Sequence, residues 1–157
     1  MKPKVYLETT IVSYLTARPS RDPILAANLK QTKEWEEHES RKFELLVSDL
    51  VIAEASDGDP DAVVRRLAGV KDIPMLLTDE RARALAKFIG DSMVLPTKAA
   101  QDALHVAIAA VNGADYLLTW NCRHLNNAHF KPRLEALCLA KGYKCPVICT
   151  PAELMED

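Results

Sequence analysis

The chain has 157 residues, 48% apolar and 27% charged, and its 20 basic and 22 acidic groups leave a net charge of −2. That length suits one domain with a sizeable core, and the charge balance argues against a polybasic nucleic-acid or membrane binder. Four cysteines (Cys122, Cys138, Cys145 and Cys149) lack CxxC spacing, which argues against a zinc framework or a disulfide scaffold and for free thiols in a reducing compartment. The stretch Met1–Leu7 is too short and polar for a targeting peptide. The longest apolar run, Ala103–Val111, is interrupted by His105 and falls far below the roughly 20 residues of a membrane span. A cytoplasmic protein with no membrane segment is expected.

In chain order, Lys4–Leu7 reads as a strand, followed by Glu8-Thr9-Thr10 and a short helical segment, Ile11–Leu15, with Thr9 or Thr10 as its cap. Asp22–Ser40 is a long helix with Ile24, Leu25, Leu29 and Trp35 as its apolar positions and Pro19 and Pro23 punctuating its start. Lys30, Lys33, Glu34, Glu36, Glu37 and Glu39 form a solvated face. This helix is read as one arm of a helical hairpin against the sheet, and as a candidate dimer surface. Phe43–Val47 is the second strand. Ser48 or Asp49 caps a helix over Leu50–Ser56, with Glu54 on its second turn and Val51 and Ala55 toward the core. Asp57–Pro60 is a turn that opens a helix over Asp61–Leu67.

Pro74–Leu77 is a third strand, and Thr78 or Asp79 caps a helix over Glu80–Ile89. Pro96-Thr97-Lys98 leads into an apolar helix with Asp102 in its first turn, ended by the Asn112-Gly113 turn. The strand Tyr116–Thr119 follows, then the polar loop Trp120-Asn121-Cys122-Arg123-His124 and the segment Asn126–Phe130. A helix over Pro132–Lys141, a stop at Gly142, a last strand Val147–Cys149 and a helical turn Ala152–Met155 complete the chain. The alternation predicts an α/β sandwich on a mostly parallel sheet. Without repeats or linkers, residues 1–157 read as a single domain.

Four polar residues fall at carboxyl ends of strands or at the adjoining helix starts: Glu8, Glu54, Asp102 and Asn121. Open parallel sheets place their chemistry there. Carboxylates gathered in one crevice repel each other and are costly to bury unpaired, and a divalent cation is the usual way to hold them ionised. Oxygen ligands without a Cys/His set favour Mg²⁺ or Mn²⁺, which points to metal-assisted phosphodiester hydrolysis. His105, three residues after Asp102 on the same helical face, serves to orient a ligand or contact a phosphate, or is a hydrogen-bonded residue near the core. Trp120 is a base-stacking surface or a buried wall. Between residues 121 and 145, Arg123, Lys131, Arg133, Lys141 and Lys144 against Glu135 give a local charge of +4. That patch either steers an RNA backbone or is plain solvated surface. Asp115 precedes its strand, lies at the opposite sheet end and is left out of the site.

Four stretches carry a family resemblance: VYLETTIVSYL at 5–15, SDLVIAEA at 48–55, QDALHVAIAAVNGADYLLTWNCRHL at 101–125 and VICTPAELM at 147–155. Together they resemble the PIN-domain proteins, in particular the VapC-type toxins of bacterial toxin–antitoxin pairs. The resemblance implies a PIN-like three-layer sandwich, with a central mostly parallel sheet flanked by helices. It also implies a Mg²⁺- or Mn²⁺-dependent endoribonuclease that hydrolyses RNA with a metal-activated water. An antitoxin partner and a homodimer follow from the same likeness. Glu8 matches the family's first acid, normally an aspartate; Glu54 matches the second and Asp102 the third. Asn121 stands where many members carry a fourth acid. Thr9 or Thr10 matches the hydroxyl that helps to position the site, and Thr9, Thr10, His105 and Arg123 are the candidate substrate contacts.

Two departures matter. Glu8 reaches about 1.5 Å further than an aspartate, on a more flexible stem. Asn121 is neutral, so one tightly held cation is expected rather than two. Both departures lower the expected activity, and they keep open a competing class: a PIN-like module that binds RNA or a protein partner without cutting. Receiver-type, phosphatase and nucleotide-binding domains fit poorly, because there is no DxD pattern after the first strand and no glycine-rich loop.

Overall fold

A computed structural model describes residues 1–156. Its elements run β1 (Lys4–Leu7), α1 (Thr9–Leu15), α2 (Pro23–His38), β2 (Glu44–Ser48), α3 (Asp49–Ala55), α4 (Pro60–Val70), β3 (Met75–Leu76), α5 (Glu80–Asp91), α6 (Ala100–Val111), β4 (Tyr116–Leu118), α7 (Lys131–Ala140) and β5 (Val147–Cys149). Single 3₁₀ turns occupy Ser40–Lys42, Thr97–Ala99 and Pro151–Leu154.

The five strands form one sheet in the order β3-β2-β1-β4-β5, and every pairing is parallel. The sheet expected to be mostly parallel is therefore parallel throughout the described residues, in the α/β sandwich the sequence predicts. From β1 the chain builds outward to β2 and β3 on one side and to β4 and β5 on the other. The gap beyond the carboxyl ends of β1 and β4 is thus a topological switch point, where such sheets open a crevice.

Buried strands flanked by helices need apolar residues on both faces. Val5, Tyr6, Leu7, Val47, Leu117 and Leu118 are all fully buried. Helix α6 is the central helix of the core, buried continuously from His105 to Val111. It packs against α5, which also meets α7, while α1 packs against α2, α3 and α4. Gly113, at φ +71°, ends α6 in the left-handed region, and its N–H donates to Ala110 O. Glycine takes that conformation without the steric cost a Cβ imposes.

Local departures from the sequence reading have clear physical causes. Neither Thr9 nor Thr10 caps α1; Glu8 is its N-cap residue, without a side-chain cap bond, because both hydroxyls go to carboxylates instead. Ser48 caps α3 through Val51 N at 3.2 Å, whereas Asp49 reaches the Thr78 N–H and hydroxyl. The third strand, expected over Pro74–Leu77, is only Met75–Leu76, because its partner β2 ends opposite Leu76 at Ser48, where α3 begins; Asp79 alone caps α5. The long helix starts at Pro23 on an Asp22 cap and ends at His38, with Ser40 in the following 3₁₀ turn.

Candidate metal centre

Glu8 follows the last residue of β1, and its N–H continues the ladder to Leu118 O at 3.1 Å. Only 5% of the residue is exposed. Oε1 accepts from Thr10 Oγ1 at 2.5 Å and from Thr119 Oγ1 at 2.6 Å. Both hydroxyls are themselves pinned: Thr10 Oγ1 accepts from Trp120 N, and Thr119 Oγ1 from Asn121 N. The glutamate stem expected to be flexible is therefore held on both sides of the crevice. The extra methylene carries the carboxylate to hydroxyls of α1 and of the loop after β4.

Glu54 lies in the second turn of α3. Its Oε1 accepts from the Thr9 hydroxyl and meets His105 Nε2 at 2.6 Å. Burial pushes the carboxyl pKa up, but the neighbouring His105 imidazole and, after it, the Thr9 hydroxyl outweigh it, and the net position is below the usual glutamate range. Glu8, Glu54 and His105 bring ligand-type atoms within 4.8 Å of one another.

Asp102 sits one turn before His105 in α6. Its Oδ1 accepts from Asn121 Nδ2 at 3.1 Å, and its Oδ2 faces His124 Nδ1 at 3.1 Å. Asn121 Oδ1 accepts from the backbone N–H groups of Arg123 and His124. The four candidate residues thus fall into two groups. Glu8 and Glu54 form the tight cluster with His105, while Asp102 and Asn121 lie beside it with His124. Two links join the groups: the shared face of α6 that carries Asp102 and His105, and Thr119 Oγ1, which takes Asn121 N and donates to Glu8.

The other candidates divide. Trp120 stacks on Tyr14 at 6.0 Å, and its indole N–H donates to Thr32, so it is built into the wall. Arg123 is exposed two residues after Asn121. The cationic stretch is dispersed: Lys131 bonds Asn126 near the site loop, Lys141 lies over Phe88 on α5, and Lys144 precedes β5 at the amino end of the sheet. Asp115 is at that end too, accepting from Lys4 N. Tyr6, Ser48, Thr119 and His124 enter the site network, and none of them stands out as a site residue from the sequence alone. For Thr119 the available signal was its place at the carboxyl end of β4. All four cysteines are free.

The donor set suits a divalent cation. Among the described residues no lysine or arginine forms an ion pair with Glu8, Glu54 or Asp102. Oε2 of Glu8 and Oε2 of Glu54 make no hydrogen bond among the described residues. Two carboxylates without a lysine or arginine partner, each with one oxygen outside these bonds, match the oxygen preference of a hard divalent cation.

No family model matches the sequence, and neither does any curated protein. Among solved structures, the chain is similar to a chain of VapBC2 from Rickettsia felis, bound to a DNA fragment from the promoter of that pair. The likeness has a TM-score of 0.59 at 14% identity and covers 94% of this chain and 98% of the other. At that identity the two share a fold, and the fold is the PIN-like sandwich the sequence resembles.

Proposed function

We propose that the chain is a metal-dependent endoribonuclease, with Glu8, Glu54 and Asp102 holding one Mg²⁺ or Mn²⁺ and Asn121 a weaker participant. One observation supports this reading: Glu8 and Glu54 gather with His105 at the switch point of a parallel sheet without a lysine or arginine to neutralise them, and Asp102 stands one turn before His105 on α6. When bound, a divalent cation polarises a phosphoryl oxygen and lowers the pKa of water. The chain's own groups prepare that position. Thr10 and Thr119 orient Glu8, Thr9 orients Glu54, and the Asn121 amide holds Asp102. Arg123 at the rim supplies a charge for the RNA backbone, and the Thr9, Thr10 and Thr119 hydroxyls are all committed to carboxylates, which favours water as the attacking group.

The fold likeness to a toxin–antitoxin complex supports a toxin role with an antitoxin protein as partner. The family resemblance supports a homodimer in the cytoplasm. Among the described residues no helix is long and apolar enough to cross a membrane.

Cleavage of labelled single-stranded RNAs in Mg²⁺ and in Mn²⁺, with and without EDTA, tests the reading. The control is Asp102→Asn, which removes one charge at nearly constant shape. Cutting that disappears with EDTA and in the variant is the expected result. No cutting together with no metal binding would transfer the chain to the competing class, a PIN-like module that binds RNA or a protein without hydrolysis.

A further inference from the structure

His105 belongs to the cluster of ligand-type atoms, yet it is 0% exposed and both ring nitrogens are engaged. Nδ1 lies 2.7 Å from Tyr6 Oη, and Tyr6 Oη lies 2.7 Å from Ser48 Oγ. Tyr6 and Ser48 are also fully buried, so each hydrogen in this chain of groups must find its acceptor inside the protein.

The hydrogens can be placed in sequence from the α3 end. A peptide N–H only donates, so Ser48 Oγ accepts from Val51 N. Among the described residues the one acceptor within reach of the Ser48 hydroxyl hydrogen is Tyr6 Oη. Tyr6 therefore accepts from Ser48, and its own hydrogen has a single remaining acceptor, His105 Nδ1. Burial holds the phenol far above its ordinary pKa, so that hydrogen is retained. With Nδ1 accepting, the ring carries its hydrogen on Nε2, which points at the Glu54 carboxylate. The reverse direction strands the Ser48 hydroxyl hydrogen, since Ser48 Oγ already takes Val51 N and has no other acceptor among the described residues.

We infer that His105 is a positioning residue rather than a metal ligand: the buried Ser48–Tyr6 pair fixes its imidazole as the Nε2–H tautomer, which donates to Glu54 and leaves a cation site built of oxygen alone. The tautomer stands on the hydrogen-bond geometry; the oxygen-only site rests on the proposed metal-dependent reading. A buried polar chain through the core of β1, α3 and α6 is expensive unless fully satisfied, and here its open end is a carboxylate at the candidate centre. Outer partners of this kind set the orientation and basicity of ligands.

Two measurements on the wild-type protein test this. Nitrogen NMR of ¹⁵N-histidine-labelled, metal-free protein should show the His105 Nδ1 as unprotonated and Nε2 as protonated. Electron spin echo measurements on the Mn²⁺ complex should show no directly coordinated imidazole nitrogen. A protonated Nδ1, or a coordinated imidazole signal that disappears in His105→Gln, would overturn the inference. Failure of the wild type to bind Mn²⁺ would instead overturn the proposed cation site, with the NMR result still deciding the tautomer. As a further check, His105→Gln keeps a donor near the Nε2 position and should hold Mn²⁺ nearly as well as wild type. His105→Leu, without a donor, should lose about 10–100-fold in affinity, and equal affinity in these two variants would contradict the donor role.

Discussion

Asn121 and Asp102 are joined at 3.1 Å, amide nitrogen to carboxylate oxygen, while the other end of the Asn121 side chain accepts two backbone N–H groups of its own loop. Asn121 is thus a brace as well as the weaker participant proposed at the cation: it fixes the loop after β4 and hands Asp102 a hydrogen bond. A fourth carboxylate there would have to give up that bond.

Asn121→Asp separates these roles. The aspartate keeps an acceptor for Arg123 and His124 but replaces the donor by a second anion facing Asp102. Metal-free protein should lose about 1.5–3 kcal/mol, the worth of a hydrogen bond to a charged group, and Mn²⁺ should stabilise the variant more than wild type. Urea denaturation in EDTA and in Mn²⁺ reads both effects. Unchanged stability in EDTA would contradict the bracing role.

Glu8→Asp should damage the site, although aspartate is the residue usual in the family that the chain resembles. The shorter side chain withdraws the carboxylate by about 1.5 Å from the Thr10 and Thr119 hydroxyls. Weaker Mn²⁺ binding and a lower melting temperature are expected. Tighter binding by Glu8→Asp would show that the glutamate is a defect rather than a fitted ligand.

Asp49 gives a pH dependence distinct from the site. Burial pushes its carboxyl up, but the Thr78 hydroxyl and N–H and the Leu50 N–H outweigh it, leaving the group below the ordinary aspartate range. A depressed native pKa stabilises the fold above the unfolded value and is lost as pH falls through the native one. Asp49→Asn should therefore be less stable than wild type at neutral pH, and the gap should close as pH drops below about 4. A gap that stays constant into acid would remove Asp49 from the acid response.

Arg123 and Lys144 provide a matched pair of charges at opposite ends of the sheet. Arg123→Glu should weaken RNA binding and lower the slope of log affinity against log salt by about 0.7 or more. Lys144→Glu should change neither, since it precedes β5 on the far side. Equal effects in filter binding would mean that RNA is attracted by overall charge alone.

The order of strands and helices was legible because the chain alternates short apolar runs with capped amphipathic ones, and β1 and β5 match the expected residues. The third strand is shorter than its apolar run, since nothing local to Pro74–Leu77 reveals that its partner β2 turns into α3 at Ser48. The hydroxyls of Thr9 and Thr10 are ambiguous in one dimension: the same group caps a helix or reaches a carboxylate from another element. The Glu54–His105–Tyr6–Ser48 chain was illegible for a related reason. Its bonds span 51, 99 and 42 positions, and a tyrosine in a buried strand reads as core until its hydroxyl is seen to have partners. Asp102 and Glu8 were easier, because charge at a strand end or helix start has few structural uses.

The most direct test of the account is calorimetric titration of Mn²⁺ into metal-free wild-type protein, Glu54→Gln and Asp102→Asn. A single saturable site in wild type and a marked loss of affinity in both variants are expected. No binding in wild type, or binding that both variants retain at full strength, would contradict a cation held by these carboxylates.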